Sequence, residues 1–418
     1  MDTTRHNLNA DVLLRIHRIL SCLVDRRRMG QVCRSWRAAV APQQHPPQRP
    51  LPWILVPSAA EGPSFSCALG GCATHDFRVP DDAFTARYFG SYDGGWLFLA
   101  YRQTNGHRLV NFRTNQLFNL PDGIARREPV RFGGTRIVML AATLSSPPEH
   151  GDCVGAAIIS FWLPMLDPHV HAFWRMGQHV AVMLNATDQR IARPALEHVI
   201  NQLPIATDRM IGGPDLEDVI HHNGAFYFLT RQENLHVFAV SKFHQDDDGE
   251  LKIAPMEIRR VHGELDYGRN VVVRYLVESR GHLLMVARLV RGPLPVPPKT
   301  WAFRVFEMME LPQDITGSEE TQYAWNELVS LDGRILFLAR GCSRSYEVAD
   351  YPGQEFSDGV YFLDDGRIHD DRTMLMAIAY PFIDSGKWLT AADGVPRVEN
   401  FLPEQPPSDY SPPAWLLP

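Results

Sequence analysis

The chain has 418 residues, 45% of them apolar, and a formal net charge of −7. That length supports two or three domains with a sizeable core, and the acidic balance excludes a nucleic-acid binder defined by whole-chain charge. The charge is unevenly placed: residues 1–45 carry eight Arg and three Asp (+5), leaving 33 basic and 45 acidic residues (−12) for the remainder. The N-terminal segment therefore reads as a separate module.

Residues 9–41 predict helix. Val12, Leu13, Ile16, Ile19, Leu20 and Leu23 fall on one helical face, and Asn9 or Asp11 can cap its start. Asp25 offers a second cap, after which Met29, Val32, Cys33, Trp36 and Val40 form a second stripe, with Arg26, Arg27 and Arg28 largely off it. The stretch "PQQHPPQRP", residues 42–50, cannot continue a helix and reads as a semi-extended linker. The arginines spread around the helix and no aromatic-interleaved basic patch follows, so a solvated face is expected rather than a phosphate-binding one.

From Leu51 onward the grammar is strand and turn. A turn ending in Gly, then an apolar strand, a polar turn and another strand recurs in "SYDGGWLFLAYRQTNGHRLVNF", "HHNGAFYFLTRQENLHVFAV", "ESRGHLLMVARLV" and "SLDGRILFLARGCSRSYEVAD", with looser copies at "RFGGTRIVMLAATL" and "FWRMGQHVAVMLNA". Gly94, Gly134, Gly177, Gly224, Gly281 and Gly333 are separated by 40, 43, 47, 57 and 52 residues. A period of that size with several strands per repeat predicts a mainly β fold, a β-propeller of six or seven blades over residues 51–418, preceded by a small all-α module over residues 1–41. "LPWILVP" at the start of the β domain and "PAWLLP" at its end are short apolar strands flanked by prolines. They are expected in the same or adjacent blades, because pairing the two chain ends removes exposed sheet edges.

Local motifs for chemistry are missing. There is no G-x-S-x-G, Walker A or H-E-x-x-H. His221-His222 has no further ligand at metal spacing, and "HQDDDGE", residues 244–250, lacks the alternating ligands of a calcium loop, so a turn pair and an exposed hairpin turn are expected there. The six cysteines, Cys22, Cys33, Cys67, Cys72, Cys153 and Cys342, include no Cys-x-x-Cys. They suggest no disulfide framework and fit a reducing compartment, and Cys67 and Cys72 read as core or loop thiols. No catalytic residue, cofactor or metal is expected. Arg15, His17 and Arg18 interrupt the first apolar stretch, and no run of about eighteen apolar residues occurs. Neither a secretory signal nor a membrane span is expected.

The segment "LNADVLLRIHRIL…DRRRMGQVCRSWRAAV" resembles the F-box, most specifically at Val32, Cys33, Arg34 and Trp36, with Asn9 standing where that family usually has Pro. The phrases "SYDGGWLFL", "HNGAFYFLT", "YLVESRGHLLMVAR", "FRVFEM", "WNELVSLDGRILFLARG" and "DGVYFLDD" are similar, in the same order, to the kelch-like or β-propeller C-terminal domain of plant F-box proteins. This resemblance implies a substrate-receptor subunit of an SCF-type cullin–RING ubiquitin ligase. The helical module would dock on a Skp-type adaptor, and through it on cullin and RING subunits, while the β domain selects an unidentified protein target. No nucleic acid or membrane partner is implied, and the setting is the cytoplasm or nucleus. Leu8, Val12, Leu13, Leu14, Ile16, Leu20, Leu23, Val32, Cys33 and Trp36 are the expected adaptor-facing residues, since a module this small cannot hide all of its apolar side chains by itself. The alternative is a non-degradative module that holds a partner or sequesters the adaptor.

Overall fold

The computed structural model describes residues 8–20, 22–41, 49–58, 62–69, 75, 79–124, 136–161, 169–183, 216–247, 249–263, 265–268, 270–291, 299–312, 321–351, 356–365, 379–390, 395–400 and 406–418. Three short helices come first: α1 (Ala10–Ile19), α2 (Leu23–Val32) and α3 (Arg34–Val40). Asn9 caps α1 as its position suggests, its side-chain oxygen accepting from the Asp11 N–H at 3.1 Å.

The remaining boundaries differ from the two-helix expectation. α1 stops at Ile19, Leu20 is extended, and Leu23 opens the second helix. Cys22, not Asp25, is the N-cap residue of α2, and Asp25 lies in its first turn. The second stripe is cut at Cys33, whose extended backbone (φ −162°, ψ 175°) ends α2 while its sulfur accepts from the Trp36 N–H at 3.5 Å to start α3. α3 packs against both other helices, and Leu13 is buried in the module with 1% exposure. A continuous second helix would run straight on and could not fold back in this way.

The β domain is a six-bladed propeller. Its strands, in chain order, are β1 (Trp53–Val56) and β2 (Ser64–Cys67); β3 (Arg87–Tyr92), β4 (Trp96–Ala100), β5 (His107–Asn111) and β6 (Leu117–Asn119); β7 (Gly123–Ile124), β8 (Ile137–Leu144), β9 (Val154–Phe161), β10 (Val170–Arg175) and β11 (Val180–Met183). There follow β12 (Leu216–His222), β13 (Ala225–Thr230), β14 (Leu235–Ala239), β15 (His244–Gln245), β16 (Leu251–Lys252) and β17 (Glu257–Arg259); then β18 (Val271–Ser279), β19 (His282–Arg291), β20 (Lys299–Leu311) and β21 (Gln322–Glu327). The last are β22 (Arg334–Leu338), β23 (Arg344–Glu347), β24 (Gly359–Phe362), β25 (Gly386–Thr390), β26 (Pro396–Glu399) and β27 (Ala414–Leu416).

Blades 1 to 5 are the sheets β3-β4-β5-β6, β8-β9-β10-β11-β7, β12-β13-β14-β17, β18-β19-β20-β21 and β23-β22-β24-β25-β26. Blade 6 joins the two chain ends in the order β27-β1-β2, with Trp53 opposite Leu416, Ile54 opposite Trp415 and Leu55 opposite Ala414. This is the closure anticipated from the two proline-flanked strands.

Apolar alternation puts one core cluster between each pair of neighbouring blades. Phe98 and Trp174 mark the 1–2 seam, Phe173 and Phe226 the 2–3 seam, and Leu235 and Met285 the 3–4 seam. Val286 and Leu336 mark the 4–5 seam, Phe337 and Trp415 the 5–6 seam, and Leu55 and Leu97 the 6–1 seam. Six seams without a gap close the ring.

The glycine spacing marks blades unevenly. Asn223 and Gly224 have positive φ (46° and 75°) at the two-residue turn joining β12 to β13, where a type I′ hairpin demands two left-handed residues. Arg280-Gly281 and Asp332-Gly333 repeat that pair of conformations. Gly177, by contrast, lies in the β10–β11 turn inside blade 2, and Gly134 lies outside the described residues. The looser copy around Gly177 is therefore an outer hairpin, and the sixth blade is made by the chain ends.

The inner strands β3, β8, β12, β18, β23 and β27 surround the axis. The turn from β22 to β23 crosses it. Gly341 (φ 72°) donates its N–H to Asp218 Oδ1 at 2.7 Å, and a Cβ added there would stand 2.4 Å from the Ala142 carbonyl oxygen on the opposite blade. Asp218 also accepts from Leu276 N–H at 2.7 Å, so one carboxylate ties blade 3 to blades 4 and 5.

Candidate functional site

The helical module carries an exposed apolar surface. Leu8, just ahead of the Asn9 cap, and Val12 and Ile19, two turns apart on α1, are 43, 44 and 39% exposed, with the half-buried Ile16 between the last two. Val32, at the end of α2, is 60% exposed. Four of the eleven exposed large apolar side chains among the described residues thus fall within residues 8–32. Cationic side chains surround them: Arg15, Arg18, Arg27, Arg28, Arg34 and Arg37 are all exposed.

The ten expected docking residues separate into three groups. Leu8, Val12, Val32 and Cys33 are exposed, and Leu14, Ile16, Leu20 and Trp36 are half-buried. Leu13 and Leu23 face inward: Leu13 holds the helices together, and Leu23, with Val24, packs against the 6–1 seam of the propeller. Ile19 belongs to the expected stripe but not to the expected docking set, and its exposure adds it to the surface.

Arg26 departs from the solvated arginine face. It is 4% exposed and donates from Nε to the Leu20 carbonyl at 2.6 Å. Burial pulls its pKa down while the nearby Tyr351, which follows β23, and Cys22 act in the opposite direction. The module is thus seated on the ring through Leu23, Val24 and Arg26.

The axial side offers less room. A cavity of about 40 Å³ lined by Arg87, Phe89, Leu140, Arg340, Asp365 and Trp415 among others has space for a few waters, far less than a small-molecule site. Arg87 there is buried and already donates to the Gln103 and Met139 carbonyls at 2.7 Å each, and burial pulls its pKa down.

Buried polar groups elsewhere clasp the seams. His107 Nε2 accepts from the Met139 N–H at 3.2 Å, so the ring proton sits on Nδ1 and is donated to Asp122 at 2.6 Å. Burial lowers its pKa, so this is a hydrogen bond of a neutral imidazole. His171 Nε2 and His236 Nδ1 meet at 3.0 Å across the 2–3 seam; burial holds His171 well below its usual value and His236 at about 4. Arg288, 1% exposed, bonds Asp384 at 2.7 Å and the Leu363 carbonyl at 3.1 Å, fastening blade 4 to blade 5.

His221 and His222 end β12 beside the Asn223-Gly224 turn, with the His222 Nε2 and Asn223 Nδ2 atoms 2.9 Å apart. The 244–250 stretch lies in the β15–β16 hairpin, with Lys252 and Asp246 paired at 2.7 Å. The hairpin reading of the second stretch holds, whereas His221 and His222 are paired with Phe226 and Ala225 in the β12–β13 ladder and the turn itself is Asn223-Gly224. One metal-ligand grouping was not legible in the sequence: Cys22, Cys67 and His75 place their donor atoms within 4.8 Å of one another where α2 meets blade 6. Cys72 lies outside the described residues.

A ring of six radial sheets, each packed on the next and closed by pairing the first strand with the last, defines a β-propeller. The chain belongs to the KIB1-4 β-propeller family, which matches residues 64–381. Among solved structures it is similar to the major allergen Mala s 1 of Malassezia sympodialis (10% identity over 76% of this chain and 92% of that one, TM-score 0.24). It is also similar to KlAtg21 in complex with the coiled coil of AgAtg16 (8% identity, 73% and 86%, TM-score 0.29). A third likeness is BBS1N in complex with ARL6DN (8% identity, 61% and 84%, TM-score 0.23). Likenesses this distant carry no functional argument. No curated protein matches the sequence. No helix among the described residues is long and apolar enough to cross a membrane.

Proposed function

We propose that the chain is a substrate-receptor subunit of an SCF-type cullin–RING ubiquitin ligase, with the helical module as an F-box. The observation that carries this reading is the exposure of Leu8, Val12, Ile19 and Val32 on a module that buries Leu13 within itself and packs Leu23 against the propeller. Exposed apolar side chains with arginines among them suit an acidic Skp-type adaptor that lays an apolar groove against them. The propeller, its axis crossed by the Gly341 turn, presents its faces and rim to a protein target. Transfer chemistry belongs to other subunits; this chain supplies proximity, raising the effective concentration of target lysines at the conjugating enzyme.

Co-expression with a Skp-type adaptor followed by affinity capture tests the reading. The wild-type chain is expected to retain the adaptor, and Val12→Asp with Val32→Asp to lose it by at least about tenfold with an unchanged unfolding transition. Undiminished capture by that double variant sinks the proposed interface. A target whose abundance ignores deletion of residues 1–41 would assign the chain to the non-degradative alternative.

A further inference from the structure

Three elements bring Cys22, Cys67 and His75 together. Cys22 is the N-cap residue of α2, in extended conformation and 2% exposed. Cys67 ends β2, opposite Trp53 in the neighbouring strand. His75 forms a bridge with Phe65, donating its backbone N–H to the Phe65 carbonyl at 2.6 Å. Phe65 and Cys67 share a sheet face by strand alternation, and His75, opposite Phe65, lies on that face too. The Trp53 ring packs 4.9 Å from the imidazole, centroid to centroid, and limits its rotation. The imidazole Nε2 faces both sulfurs, 3.6 Å from Cys22 and 3.1 Å from Cys67.

We infer that this cluster is a zinc(II) site that staples the helical module to the closing blade. At ordinary zinc bond lengths and tetrahedral angles, sulfur and nitrogen donors stand about 3.6 Å apart. The Cys22–His75 distance of 3.6 Å meets that value, and the half-buried Cys67 needs to retreat by only about half an ångström. Two thiolates and a neutral imidazole are the donor set that selects zinc over hard cations. On binding, each thiol loses its proton to solvent and Nδ1 of His75 keeps the ring proton. Two thiolate charges cancel the charge of the ion, so the seam gains no net buried charge. The N-terminal end of α2 favours negative charge at Cys22. Because the ligands come from both sides of the junction, binding free energy becomes docking free energy for the module.

The test uses the full chain, purified under a non-thiol reductant. Elemental analysis is expected to find one equivalent of zinc. Cobalt(II) replacing it is expected to give thiolate charge-transfer absorption and tetrahedral d–d bands, and a chelator to lower the unfolding temperature. Cys67→Ser and His75→Asn are expected to weaken metal binding at least about tenfold, the floor set by losses of outer-shell partners, and to remove the chelator effect. If one variant fails to fold, the cobalt spectrum of the wild type and of the other still decides. Metal-free protein with no cobalt–thiolate absorption overturns the inference. So does a cobalt spectrum unchanged in Cys67→Ser, or recovery of Cys22 and Cys67 as a disulfide from freshly lysed cells.

Discussion

Gly341 shows how one residue fixes the interior of a ring. Its positive φ of 72° and the Ala142 oxygen 2.4 Å from the place of a Cβ leave no room for a side chain. Gly341→Ala is expected to cost about 2–5 kcal/mol, from left-handed strain added to a backbone clash, read as a lower denaturant midpoint. The His171–His236 pair makes a second residue-scale prediction. Unfolded imidazoles titrate near 6.5, whereas folded His236 titrates at about 4. Between those values the unfolded chain binds the proton and the folded chain does not. Stability is therefore expected to fall as pH drops from ~6.5 to ~4, by a few kcal/mol at most, and His236→Gln to flatten that slope in thermal melts. None of this was visible in the sequence: His171 and His236 are 65 residues apart, and their pairing depends on two blades meeting.

At the scale of elements, helical periodicity located the N-terminal module but could not say which side of each helix faces where. Leu13 and Val12 are neighbours in an equally apolar stripe, yet one is 1% and the other 44% exposed, because α3 folds back onto the Leu13 side. The two substitutions are expected to part accordingly. Leu13→Ala should cost about 2–5 kcal/mol of module stability, seen as loss of helical protection in hydrogen exchange. Val12→Asp should leave that protection intact and affect only partner capture. The break at Cys33 escaped the periodicity because the apolar spacing continues through it; the sulfur cap that starts α3 is a property of the folded chain. The glycine repeats were legible where they set left-handed hairpin turns, as at Asn223-Gly224. They misled at Gly177, because an outer hairpin uses the same turn chemistry as an inner one.

At the scale of the whole molecule, the ring depends on its last strand. Trp415 is 1% exposed, packs edge-on against Phe337 with ring centroids 5.1 Å apart, and donates to the Leu338 carbonyl at 2.8 Å. Trp415→Ala is expected to cost about 3–5 kcal/mol, and removal of residues 409–418 to leave a chain without a cooperative unfolding transition. The second outcome follows because blade 6 would lose its inner strand, and with it Trp415 against blade 5 and Ala414 and Leu416 against blade 1. By itself the sequence determined that the domain is a strand-and-turn repeat closed by its own ends and preceded by a helical module, since alternation, turn chemistry and flanking prolines act locally. Tertiary structure alone decided the count of six, the plugged axis, the choice of exposed helix face and the meeting of Cys22 with Cys67 and His75. Each of those depends on surfaces distant in sequence being pressed together, and no local pattern encodes which surfaces those are.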